Sequence, residues 1–180
     1  MSESVTQRAP DGVKHIHHHA YACRDAEETR HFYEDVLGLP LVATVVLDDP
    51  FRNDGSRYCH IFFEMSDGNA LAFFEHSSLF TPGDFLPRSG FHHHVALEVD
   101  GDDAVMRFKR RLDEAGINNM YMDHEVFHSL YFNDPNGLNL EIVTKVPATI
   151  DYERSARITA REDLGRWMQQ RSEQTNKELA

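Results

Sequence analysis

Cysteine is scarce in this chain: Cys23 and Cys59 are the only two among 180 residues. They have no CxxC spacing and both fall in apolar, strand-like segments. A disulfide framework and a dithiol redox centre are therefore set aside, and two buried free thiols are expected. Long apolar runs are also missing, so no segment is expected to span a bilayer. The opening MSESVTQRAPDG is polar and lacks the apolar centre of a secretory signal, which makes the cytoplasm the expected compartment. Positive charge is in deficit, with 18 Lys and Arg against 30 Asp and Glu and a net charge of -12. With no basic cluster to offset it, this balance argues against nucleic acid and anionic membrane as partners.

Histidine, by contrast, is abundant, with twelve copies, and two runs of three lie at matching places. Val13 to Cys23 (VKHIHHHAYAC) reads as a strand. Asp25 with Glu28 gives a capping box for a helix carrying Phe32, Val36 and Leu37, stopped by Gly38 and Pro40. Leu41 to Leu47 is a β-branched strand, and Arg57 to Met65 with Ala70 to Glu75 forms a hairpin about Ser66-Asp67-Gly68-Asn69. The pattern then recurs after roughly 75 residues, a period that signals duplicated architecture. Phe91 to Val99 is a strand, and Asp102 or Asp103 caps a helix with Val105, Phe108 and Leu112. Strands near Asn119 to Met122, at Phe127 to Phe132 and at Leu138 to Val143 complete the second unit.

The expected organisation is α+β: two tandem βαβββ modules that form a cupped mixed sheet around a metal site, plus a C-terminal helix. The boundaries are a flexible arm over 1–12, the first module over 13–76, a linker loop over 77–90, the second module over 91–145 and an extension over 146–180. In the extension, Thr159 and Glu162 read as a capping box, with Leu164, Trp167 and Met168 on one helix face that packs on the body or on a second subunit. Open βαβββ sheets leave uncovered edges, so a homodimer is expected.

The stretch HEVFHSLYFNDPNGLNLE, His124 to Glu141, places one carboxylate among apolar neighbours. A buried carboxylate costs several kcal/mol unless it is paired, protonated or metal-bound. Strand alternation puts His18 on one face with Ala20 and Ala22, and His94 on one face with Ala96 and Glu98. Taken singly, each histidine fits a hydrogen-bonded core or edge position. Taken together, His18, His94 and Glu141 are two matched histidines and a carboxylate, donors that suit first-row divalent metals. Such a set with open positions suits Fe(II) and oxygen; Mn(II), Zn(II) and Ni(II) are alternatives.

HHAYACRDAEETRHFYEDVLG from His18, HVALEVD from His94 and DPNGLNLE from Asp134 resemble the vicinal oxygen chelate superfamily, which includes glyoxalase I, fosfomycin-inactivating transferases and type I extradiol dioxygenases. The resemblance spans about Val13 to Thr144. By similarity, His18, His94 and Glu141 fall on the family's metal-ligand positions. His124, Leu130, Tyr131, Asp134, Pro135, Gly137 and Glu141 follow the extradiol signature, which implies proton-handling roles for His124 and Tyr131. Asn69 stands where those enzymes carry an oxygen-directed histidine. Glyoxalase-type sites take a fourth ligand where this chain has Ala72, and Glu75 serves only if a bulge shifts the register.

The resemblance implies a ring-cleaving dioxygenase that uses O2 on a catechol-like aromatic. Phe63, Phe73 and His128 are the candidate substrate contacts. A non-oxidative lyase, epimerase or thiol transferase, and a ligand-sequestering dimer, are the alternative readings.

Overall fold

The computed structural model describes residues 13–178, with side chains through residue 172; the expected arm over 1–12 lies outside the described residues. The first unit runs β1 (His18–Ala22), α1 (Ala26–Arg30), β2 (Leu41–Asp48), β3 (Arg57–Glu64) and β4 (Ala70–His76). The second runs β5 (Val95–Glu98), α2 (Gly101–Glu114), β6 (Asn119–Asp123), β7 (Phe127–Asn133) and β8 (Asn139–Lys145), followed by α3 (Pro147–Glu178). The strand orders are β1-β4-β3-β2 and β5-β8-β7-β6, so the same βαβββ topology occurs twice. In each sheet the helix leads to the far edge strand, the first strand pairs parallel with the last, β1 with β4 and β5 with β8, and the other pairs are antiparallel.

Local chemistry explains the elements. The Asp25 carboxylate accepts the Glu28 amide at 2.8 Å and caps α1, which continues into a π-helical turn over His31–Val36. Gly38 leaves the helix at φ +83°, a left-handed conformation open to glycine. β1 is shorter than expected, and His92 lies in a turn with His93 and His94 in irregular backbone ahead of β5 rather than in its first residues. The tail helix begins at Pro147, not near Thr159; Thr159 lies mid-helix and donates to Asp163. Trp167 is exposed within the chain. No helix among the described residues is long and apolar enough to cross a membrane.

One continuous core joins the two units. Phe63, Leu71 and Phe73 from the first sheet meet Leu130, Leu140 and Ile142 from the second, with Phe32, Tyr33, Leu37, Val105 and Leu112 of the helical layer among them. Burying each such side chain contributes about 1.5–3 kcal/mol. The modules thus share their helix-facing sides, and the opposite face of each sheet is turned outward. Cys23 is buried in this core and burial pushes its thiol up to about 12; Cys59 is free and half-buried.

A buried polar joint sits at the centre of the contact between modules. Asp134 accepts from the Asn136 and Leu138 amides, from the Asn136 side-chain amide and from the Tyr33 hydroxyl at 3.0 Å. Asn136 in turn accepts the Arg24 amide and donates to Thr29. Tyr33→Phe removes one donor from the buried carboxylate and is expected to lower stability by about 1.5–3 kcal/mol. An urea denaturation midpoint equal to that of the wild type would contradict this.

Candidate functional site

β-strand alternation sorts the candidates by face. On the second sheet, the register pairs Ala96 with Glu141 and Tyr131 with Glu141. Ser129, Tyr131, Glu141 and Ala96 therefore share the outer face, and His94 reaches it from the turn before β5. Glu141 is 8% exposed. Its Oε1 accepts from the Ser129 hydroxyl at 2.5 Å and from the Tyr131 hydroxyl at 3.1 Å. Its Oε2 lies 3.3 Å from His94 Nε2.

Two tautomers follow from these contacts. His94 Nδ1 lies 3.1 Å from the Gly90 carbonyl, which can only accept, so Nδ1 carries a proton. With Nδ1 as donor, a neutral His94 aims the lone pair of Nε2 at a carboxylate oxygen. Two acceptors facing each other need a proton or a cation between them. This donor pair fits a divalent metal on chemical grounds.

His124 Nε2 lies 2.9 Å from the Tyr131 hydroxyl. Because the phenol proton is given to Glu141, His124 is the donor in that contact. The result is a chain from exposed His124 through Tyr131 to Glu141. Burial, followed by the nearby Glu141 charge among the raising influences, lifts the Tyr131 pKa, so the phenol stays protonated. Glu125, next to His124, holds φ +66° and is the one non-glycine residue at positive φ among the described residues. That turn brings His124 back over Tyr131.

His18 lies on the other sheet. It faces outward beside Phe62 and His60, with ring centroids 5.4 and 6.0 Å away. No three His, Cys, Asp or Glu side chains converge as a ligand set among the described residues. The chain thus brings His94 and Glu141 together and leaves His18 apart.

Several of the expected residues lie away from the Glu141 cluster. Phe63 and Phe73 are fully buried on the helix-facing side, around Tyr33, and contact no ligand space. His128 is on the face opposite Glu141, where Nδ1 meets Asp102 at the start of α2 at 2.5 Å. Glu75 accepts the Ala26 amide at 2.7 Å and holds the amino end of α1. Asn69 is committed to the β3–β4 turn, bonded to Asp67 and His15. Ser129 was not singled out by the sequence. A lone hydroxyl in an apolar strand carries no motif, although its spacing of two from Tyr131 places it on the same face.

With this geometry in hand, the comparisons with known proteins are direct. The profile of the Glyoxalase/Bleomycin resistance protein/Dioxygenase superfamily matches residues 15–142, and the chain belongs to that family. A Bacillus subtilis (strain 168) protein, MhqA, named as a candidate ring-cleaving dioxygenase, is 28% identical over 127 residues. That match takes in 68% of this chain and 37% of the relative, so the chain spans little more than a third of it.

Among solved structures, a glyoxalase/dioxygenase from Nostoc punctiforme is 25% identical with a TM-score of 0.58, covering 78% of this chain and 97% of that one. Lactoylglutathione lyase from Agrobacterium tumefaciens is 25% identical with a TM-score of 0.51, covering 73% and 94%. The Listeria monocytogenes fosfomycin resistance protein FosX, complexed with Mn(II), shares the fold at 18% identity and a TM-score of 0.53, covering 72% and 91%.

The Ser129 contact yields a test independent of activity. Ser129→Ala takes the shortest donor away from a buried carboxylate, and a loss of about 1–3 kcal/mol is expected. Equal thermal unfolding curves for variant and wild type at neutral pH would count against the structural role given to Ser129.

Proposed function

We propose that this protein is a metal-dependent ring-cleaving dioxygenase acting on a catechol-like aromatic, with Fe(II) held by His94 and Glu141 of one chain and His18 of a second copy. The observation that carries this reading is His94 Nε2 lying 3.3 Å from Glu141 Oε2, with the Tyr131–His124 chain joined to the same carboxylate. Two histidines and one carboxylate are the donors that leave room for both substrate and oxygen on iron. Similarity to MhqA supports the substrate class.

When bound, Fe(II) supplies a Lewis acid for two neighbouring substrate oxygens and a route for electrons from the ring to O2. The chain's own groups do the rest. His94 and Glu141 orient the site, and Ser129 fixes the carboxylate rotamer. His124 is exposed, exchanges protons with solvent and passes them to the Tyr131 oxygen, whose own proton sits toward Glu141. Asn69 takes no part, because its amide is spent on the turn.

The separation of His18 from His94 and Glu141 supports a homodimer. Each outer face carries exposed apolar side chains on the far edge strand of its sheet: Val45 and Leu47 on the sheet of His18, Met120 and Met122 on that of Glu141. Apposing the two kinds of face across a dimer covers both sets and completes the ligand trio.

Two experiments separate the parts of this reading. Protein loaded anaerobically with Fe(II) is expected to consume oxygen with catechols and give a ring-opened product, whereas Glu141→Ala gives none. Absence of uptake across a panel of catechols would transfer the same relay to non-oxidative proton transfer, the chemistry favoured by the commitment of Asn69 to its turn. For the dimer, His18→Ala and Glu141→Ala chains are each expected to be inactive. Co-refolded in equal amounts they should regain about a quarter of wild-type activity, since half the dimers then hold one intact site. No recovery would place all three ligands in one chain.

A further inference from the structure

A cavity of about 420 Å³ opens on the same outer face as His18 and has no role in the reading above. Ala20, Ala22, Tyr58 and Phe74 line it together with Phe51, Leu79 and Phe80, and Asp49 and His76 border it as well. The size lies toward the small end of ligand sites, which run about 300–1,000 Å³. Ala20 and Ala22 follow His18 at two-residue steps on one face of β1, each paired with a residue of β4. At about 3.3 Å per residue, the cavity begins roughly 7 Å from His18 and extends to roughly 13 Å. Alanine at both positions leaves the sheet surface open where a larger side chain would fill it.

The rim is unusual for a surface. Phe51 is 95% exposed and Leu79 is 52% exposed, although both border an apolar hollow. Neither arrangement is slack. The Ser78 amide donates to His76 Nδ1 at 3.1 Å, which leaves His76 Nε2 as the donor to Asp49 Oδ2 at 3.1 Å. The second oxygen of Asp49 accepts the Phe51 amide at 2.8 Å. His76 and Asp49 are almost fully buried, at 5% and 11% side-chain exposure, and both ring nitrogens of His76 are used. The pair therefore offers nothing to a ligand. It ties the Phe51 loop to the Leu79 loop across the mouth of the cavity.

We propose that this cavity is the subsite for an apolar aryl substituent of the substrate, and that Phe51 and Leu79 set a preference for extended over single-ring substrates. An aryl group bonded to a ring held at His18 spans the distance along Ala20 and Ala22, and it finds aromatic surfaces in Phe74 and Phe80. Charged or strongly polar substituents lose hydration there without gaining a partner. The location beside the reacting ring rests on the dioxygenase reading; the existence and chemistry of the subsite do not.

The test uses the full chain stripped of metal by chelation, titrated calorimetrically with biphenyl-4-ol, whose single hydroxyl cannot chelate. Saturable binding is expected for the wild type. The double variant Phe51→Ala/Leu79→Ala alters only exposed loop side chains, and it should bind about tenfold more weakly or less. Ala22→Leu, which fills the floor, should weaken binding likewise. A wild type that shows no saturable binding, or a double variant that binds as well as the wild type, overturns the proposal. Oxygen uptake plays no part in this readout, so failure of the dioxygenase reading and failure of the subsite are told apart.

Discussion

The buried carboxylate of Asp134 is the constraint on which the arrangement of this protein depends. Taking that charge out of water is unfavourable, and burial raises its pKa. The Asn136 and Leu138 amides, the Asn136 side chain and the Tyr33 hydroxyl offset the cost by supplying donors to both oxygens. Three of those four donors belong to the second module and one to the first. The turn can be buried only if the modules meet, and they can meet in this way only back to back. Gly137 reinforces the same demand: it holds φ +78°, and a Cβ there would meet the Phe85 and Leu86 backbone at 2.7–2.9 Å.

Packing the helix-facing sides together turns the other side of each sheet outward. The chemistry-bearing residues are therefore distributed over two surfaces. One holds His18, His60 and Phe62; the other holds His94, Glu141, Tyr131 and His124. Small residues on both surfaces, Ala20 and Ala22 on one and Ala96 on the other, keep them concave and open. Each surface carries histidine, and each also carries exposed valine, leucine or methionine. Within the chain those apolar groups face water, and His18 stands apart from His94 and Glu141.

Much of this was legible in the amino-acid sequence, because strand alternation has a strict period of two. His18 and His94 were placed on the open faces by their alanine neighbours, and both lie there. The same logic failed for Phe63 and Phe73. β3 and β4 carry phenylalanine on both faces, Phe62 with Phe74 outward and Phe63 with Phe73 inward, so size alone does not tell core from pocket. Asn69 was given a site role only by resemblance, whereas Ser66-Asp67-Gly68-Asn69 already read as a turn, and its amide serves that turn. The joint at Asp134 was visible only as a turn. Its partners, Tyr33, Thr29 and Arg24, lie about a hundred residues away, and nothing local announces them.

The tail helix illustrates how such distant support works. Its exposed Leu164, Trp167 and Met168 leave its outer length without cover in the chain, yet its first turn is firmly placed. Thr149 is fully buried and donates to the Val126 carbonyl, and it also accepts the Val146 amide. Tyr152 packs edge-on against Phe127 with ring centroids 5.9 Å apart. Val126 and Phe127 close the turn that begins at His124 and passes through Glu125 in its left-handed conformation. A non-glycine residue at positive φ costs about 1–3 kcal/mol and persists where surrounding contacts over-determine it. The root of α3 supplies those contacts. The extension that lies outside the duplicated fold thereby supports the His124 turn, and with it the exposed end of the hydrogen-bonded chain to Glu141.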